Sequence, residues 1–459
     1  MLKVDLLIKN ATVVTVDSQR RILENAFVAI TEDKIVAIDS SDRVAEYSGT
    51  RVYDAAGKIV YPGFINTHTH LFQYMLKGLG RDKLLFEWLN ASVRRALANY
   101  DPKTCYYAAQ AACIEALRSG VTSNLDFMYA HTHVGVDDAV IEAMSDLGMR
   151  NFFGRSHTDT SGMPEEFGIK WHETEQMFLD DVRRLAKKHR EDDMISIVVA
   201  PGIIWDATAD GYREMRQIAD QYDLPLTMHI QETKDDDEYS LATWGKRTFP
   251  FLEEVGFLGP DLIAVHCVQL EEEDIDLIKQ HDVKVCHCPL PNMLLASGIA
   301  PIERLRTEGV TVSLGVDGAA SNDKQDMLEV IKMTSLLQKV NLHDASALPA
   351  AEVLAMATIN GALSLGREDD LGGLEVGKKA DLFIYDPMTP TSIPVHEPVS
   401  SLVYASSPAN IESVIVNGKF VLDRGEITTI DEEKVLFEAN RLAKDLVSKS
   451  GLTPNVAHP

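Results

Sequence analysis

Residues 62–70 read Pro-Gly-Phe-Ile-Asn-Thr-His-Thr-His. A short apolar run leads into His68 and His70, two positions apart. Side chains alternate along a strand, so residues i and i+2 share a face and both imidazoles can point the same way. A second His-Thr-His stands at 131–133, several residues beyond the next strand-like run. Alternation need not hold there, so the first triplet is expected to carry a metal, and His131 and His133 are expected at the rim or lining the substrate site.

Working outward from 62–70, short apolar runs recur at 59–66, 121–127, 150–156, 195–200, 225–230, 262–267, 283–288 and 310–316. Amphipathic stretches such as Thr174–His189, Gly211–Tyr222, Glu271–His281 and Asp326–Val340 separate them. Eight strands alternating with helices predict an α/β fold, a (β/α)8 barrel. A doubly wound sheet is the runner-up, weakened because no G-x-G-x-x-G follows any strand. Both chain ends read as β-branched strands with turn residues, and pairing them hides their edges. The expected organisation is therefore a barrel over 60–370, a small β-sandwich domain from 1–59 and 371–430, and a C-terminal helix and tail over 431–459.

Four of these strands end in ligand-type residues: His68 and His70; His229 with Glu232; His266; and Asp317. Catalytic groups of such barrels gather at the C-terminal strand ends, so these side chains should meet at one mouth. Taken singly, each has a bland reading. His287 is read as structural, Trp88 as helix core, and Cys286-His287-Cys288 is too closely spaced for a usual zinc pair.

The bulk properties narrow the partners. With a formal net charge of -26 over 459 residues, neither nucleic acid nor an anionic membrane is an expected partner. No apolar run of about 18 residues occurs, so no membrane span is expected. The opening residues lack a signal-peptide core. Five thinly spread cysteines fit a reducing cytoplasm.

The chain resembles the amidohydrolase superfamily, in its aminohydrolase branch. The motifs that carry the resemblance are PGFINTHTH at 62–70, HIQE at 229–232, VHCVQL at 265–270, LASGIAP at 295–301, GVDGAASN at 315–322 and GGLEVGKKADL at 372–382. The resemblance implies an enzyme, a mononuclear metal-dependent aminohydrolase acting on C–N bonds of cyclic amidines. It implies one divalent metal ion, zinc first and iron second, held by His68, His70, His229 and Asp317, with Glu232, His266 and Asp317 as catalytic groups. The fourth strand reads ISIVVAP and has no lysine to bridge a second metal. It also implies a small heterocyclic substrate and a homo-oligomer. Pro291–Leu294 departs from the family's Ser-Asn-x-Lys/Arg pattern.

For specificity, Gln73 resembles a glutamine of guanine-type deaminases, and an amide can meet both donor and acceptor of a lactam edge. Arg155, near the end of the third strand, is expected at a substrate carbonyl, with an ion pair at the mouth as the alternative. The expected reaction is hydrolytic deamination of an oxopurine or pterin such as guanine or 8-oxoguanine. Deamination of methylthioadenosine or S-adenosylhomocysteine ranks second, and s-triazine hydrolysis third. A non-enzymatic assembly protein is disfavoured because every ligand position is intact.

Overall fold

The computed structural model describes residues 1–453. Eight parallel strands, from Phe64–Thr69 through Val121–Met128, Arg150–His157, Ile195–Pro201, Leu226–Ile230, Leu262–His266 and Lys284–His287 to Val312–Leu314, pair in sequence order. The last returns to the first: Asp317 N–H donates to His68 O (3.0 Å) and Val316 N–H to Asn66 Oδ1 (3.0 Å). This closes a (β/α)8 barrel. Its lower interior is filled by Ile65, Leu125, Phe152, Val198, Ile263 and Val265.

The helices form where amphipathic period and caps coincide. Thr174 caps Glu175–Lys188, Thr208 caps Ala209–Tyr222 and Asp326 caps Met327–Leu342, each side chain accepting a first-turn backbone N–H. Their apolar faces pack outside the barrel strands in one continuous core.

The two chain ends build one nine-stranded sheet. Strand Leu382–Tyr385 from the C-terminal part pairs antiparallel with Ile59–Pro62 from the N-terminal part. The sheet curls so that Leu6, Val28, Tyr53, Val60, Leu382 and Ile415 share a second core. Helix Glu432–Lys449 packs against Pro102–Leu117 of the barrel layer.

The run at 59–66, expected to be one barrel strand, is two. Ile59–Pro62 belongs to the terminal sheet, and Phe64–Thr69 opens the barrel. Gly63 is the joint, where a Cβ would stand 2.1 Å from Thr122 Oγ1. Only glycine lets the backbone pass that close. No helix among the described residues is long and apolar enough to cross a membrane.

Candidate metal centre and cavity

His68 lies within a register irregularity between Asn66 and Thr69 at the end of the first barrel strand, and His70 follows just past that strand. Both are buried, and their rings meet His229 from the fifth strand. Ligand atoms of the three lie within 4.8 Å of one another. Asp317 Oδ1 stands 3.3 Å from His68 Nε2 and 3.2 Å from His70 Nε2. Its other oxygen accepts from Ser321 Oγ (2.9 Å), which fixes the carboxylate plane.

The hydrogen bonds behind these rings set their tautomers. His70 Nδ1 lies 2.7 Å from Phe127 O, and His229 Nδ1 2.9 Å from Gly202 O. A carbonyl only accepts, so both Nδ1 atoms carry the proton and both Nε2 atoms present lone pairs. Those two Nε2 atoms face each other at 3.3 Å. Two lone pairs at that distance repel, and a shared cation relieves them. Both His68 ring nitrogens are buried without a hydrogen-bond partner. Burial, with the neighbouring His68 and His70, holds His229 well below the usual range, and burial takes His68 down to about 3. Neutral imidazole is the ligand form. Burial alone would raise Asp317, but the close contacts of its Oδ1 with the His68 and His70 rings hold it well below a normal carboxylate. Three neutral imidazoles and one carboxylate fit a single divalent ion.

Glu232 and His266 stand beside this cluster, with Oε2 3.6 Å from Nε2. Burial, then the nearby Asp317 charge, pushes the Glu232 carboxyl up to about 8. Ser297 Oγ donates to its Oε1 (3.4 Å). His266 Nδ1 donates to Asn292 Oδ1 (3.0 Å), turning Nε2 toward the site. His266 (φ 75°) and Asp317 (φ 62°) both hold left-handed backbone. Such conformations in non-glycine residues cluster at functional sites.

A cavity of about 330 Å³ opens above, lined by His70, Gln73, His229, Glu232, His266 and Asp317 at its floor. That volume is within the range of small-ligand pockets. Trp88, Leu89, Arg94, Met163 and Trp205 line its walls. Gln73 Nε2 donates to Tyr129 OH (2.6 Å), and its Oε1 is buried without a partner.

Two expected residues fall elsewhere. Arg155 does not line the cavity. It is buried outside the barrel wall, paired with Glu173, with Asp181 (2.9 Å) and with Asp137 (3.3 Å). Strand parity explains this, because Phe152 points into the barrel and Phe153 into the helix layer, and Arg155 shares the face of Phe153. His131 joins the same cluster, its Nε2 2.7 Å from Asp137 Oδ1, and His133 is exposed. Trp88 is both helix core and cavity wall. The sequence reading missed Asn292, whose hold on His266 lies inside the stretch noted only for its departures. It also missed Tyr129 and Arg94, for which no local motif gives a signal.

The sequence profile of the amidohydrolase family matches residues 59–421. A 5'-deoxyadenosine deaminase from Methanobrevibacter smithii is 36% identical over 399 residues, covering 86% of this chain and 88% of that protein. A 5-methylthioadenosine/S-adenosylhomocysteine deaminase from Syntrophobacter fumaroxidans is 35% identical over 448 residues, 97% of this chain and 99% of that protein. Among solved structures, an adenosine deaminase from Xanthomonas campestris with bound zinc aligns at a TM-score of 0.91 and 29% identity, covering 97% of this chain and 99% of that one.

Proposed function

The chain belongs to the amidohydrolase family, and from that premise we propose that it is a metal-dependent deaminase of adenosine-type nucleosides, releasing the ring amine as ammonia. The observation that carries the reading is one mouth holding a four-ligand set, a buried carboxyl kept protonated near neutrality, and a histidine facing it. The names of the relatives support adenosine-type substrates, reversing the order the sequence alone suggested.

His68, His70, His229 and Asp317 would hold the ion, zinc first and iron second. Bound there, it acts as a Lewis acid that brings the pKa of water to about 7. The remaining work belongs to side chains. Glu232, protonated, gives its proton to the ring nitrogen beside the amine-bearing carbon as water adds to that carbon. His266, oriented by Asn292, takes the proton that water loses and passes it to the departing amine. Asp317 holds the water's approach through its Oδ1. The ring carbon gains oxygen, the C–N bond breaks, ammonia leaves, and the hydroxyl's remaining proton returns to Glu232 as the carbonyl forms.

A second reading, an oxopurine or pterin substrate, is favoured by the unpartnered Gln73 Oε1 beside the cavity floor. It would accept a lactam N–H.

Ammonia release by zinc-reconstituted protein separates these readings. The panel is 5'-deoxyadenosine, methylthioadenosine, S-adenosylhomocysteine, guanine, 8-oxoguanine and pterin. Turnover of the nucleosides with kcat/KM above about 10⁴ M⁻¹s⁻¹ is expected. Turnover of the free oxopurines alone would replace the first reading by the second. Glu232→Gln is expected to keep its zinc and lose most turnover.

A further inference from the structure

The cavity wall contains a cation that the chemistry above does not use. Arg94, on the short helix Val93–Ala96, lines the cavity and is half-buried. Among the described residues every arginine stands within ion-pair distance of a carboxylate except Arg94 and the exposed Arg424. In a chain with a net charge of -26, that pairing is easily met, so a cavity-facing exception needs a reason.

Among the described residues the one polar partner of Arg94 is neutral: its Nη1 donates to Asn90 Oδ1 (3.1 Å). Its guanidinium also lies 5.7 Å from the Phe86 ring centroid. The carboxylate facing it electrostatically is Asp206, another wall residue. Asp206 is committed elsewhere, with Oδ1 accepting from Asp159 N–H (3.1 Å) and Oδ2 from Ile203 N–H (3.0 Å). Burial pushes Asp206 up to about 7, which weakens it as a counter-ion near neutrality. Burial also lowers Arg94, the direction expected of a cation short of compensation.

We infer that Arg94 is a specificity residue that receives an anionic group, a carboxylate or a phosphate, carried by the substrate on the part away from the reacting ring. This rests on the deaminase reading for the identity of the ring. A guanidinium presents forked donors that match two oxygens of either anion. It also offers the local attraction an anionic ligand needs against a strongly acidic protein.

The test is isothermal titration of zinc-reconstituted Glu232→Gln protein, in which ligand is not consumed. The ligands are methylthioadenosine, S-adenosylhomocysteine and adenosine 5'-monophosphate. At least one of the two ligands that carry an anionic group, the zwitterionic S-adenosylhomocysteine or adenosine 5'-monophosphate, is expected to bind at least about tenfold tighter than methylthioadenosine, which carries none. Whether the carboxylate or the phosphate does so identifies the group. Adding Arg94→Gln should bring that ratio to within about twofold, and Arg94→Lys should restore part of it. If Arg94→Gln fails to fold, the salt dependence of the ratio in the parent decides, because an ionic contact weakens with added salt. Equal binding of all three ligands, no binding, or a ratio untouched by Arg94→Gln and by salt would overturn the inference. Ammonia release by the unmodified enzyme reports separately. Turnover with equal binding leaves the function standing and removes the role of Arg94. An anion preference without turnover does the reverse.

Discussion

Replacing Gly315 by alanine should separate packing from metal binding in the barrel floor. Gly315 lies just past the last barrel strand, outside the left-handed region, so alanine meets no backbone objection. Space is the obstacle. An added Cβ would stand 2.8 Å from His68 Cβ and 2.9 Å from both Cys286 Sγ and Cys288 Sγ. Carbon atoms rest at about 3.5–4.0 Å, so the contact with His68 is about 0.7–1.2 Å too close. All three neighbours are the first or second atoms of short, buried side chains, and none has a flexible end to swing away. Overpacking of this kind costs about 1–3 kcal/mol. Relief by moving His68 takes its imidazole beyond the roughly 0.5 Å that a metal site tolerates. The expected result is a melting temperature lowered by a few degrees and zinc affinity weakened at least about tenfold, in the range of ligand-orienting mutations. Zinc affinity is read by chelator competition, and stability by calorimetry on metal-free protein. Adding Cys286→Ala and Cys288→Ala to Gly315→Ala removes two of the three clashes, so stability should recover while zinc affinity stays low. Parent-like zinc affinity in Gly315→Ala would refute the reasoning.

The remaining predictions concern the surroundings of the site. His131→Ala should keep a full equivalent of zinc by metal analysis, because His131 pairs with Asp137 and not with the ligand set; loss of zinc would mean the second triplet is the ligand. Asn292→Ala should retain zinc but reduce kcat about 10–100-fold, since it frees the His266 ring; unchanged kcat removes the orienting role. Glu173 is raised by burial, but its hydrogen bond to His157 and the Arg155 charge outweigh that and bring it from 4.5 to about 2. A depressed carboxyl stabilises the fold above its unfolded pKa and loses that effect as pH falls through the folded one. Glu173→Gln should therefore cost up to about 3 kcal/mol at pH 7, with the gap to the parent closing between pH 4.5 and 2. Urea midpoints across that range check it, and a gap independent of pH would contradict the assignment.

Why the barrel could be read from the chain is visible in particular residues. Strand and helix periods alternate cleanly, and caps such as Thr174, Thr208 and Asp326 stand where the helices begin. That the histidines and carboxylates would meet at one mouth was readable because each lies at or just past the end of an apolar run. Arg155 was misplaced although the signal was present, since counting parity from Phe152 sends it outward. Gly63 hid a change of sheet inside one continuous apolar run, because the reason for the break is the distant Thr122. Asn292, which holds the His266 ring, and Tyr129 and Arg94, which line the cavity, come from segments far apart in sequence, which no local pattern encodes.

The closure of the barrel has a consequence for how the molecule is made. His68 lies in the first barrel strand and Asp317 three residues past the last, roughly 250 residues apart, and the backbone bond from Asp317 N–H to His68 O ties the two ends of the barrel together. The residues proposed to hold the ion thus straddle the seam. During synthesis His68 and His70 emerge early and wait for Asp317, so the complete ligand set comes into being only when the seam closes. An ion bound there would be a clasp: its affinity would add to the free energy of the closed barrel and not to that of any open precursor. Metal supply during folding, and not only during turnover, would then determine how much barrel stays shut.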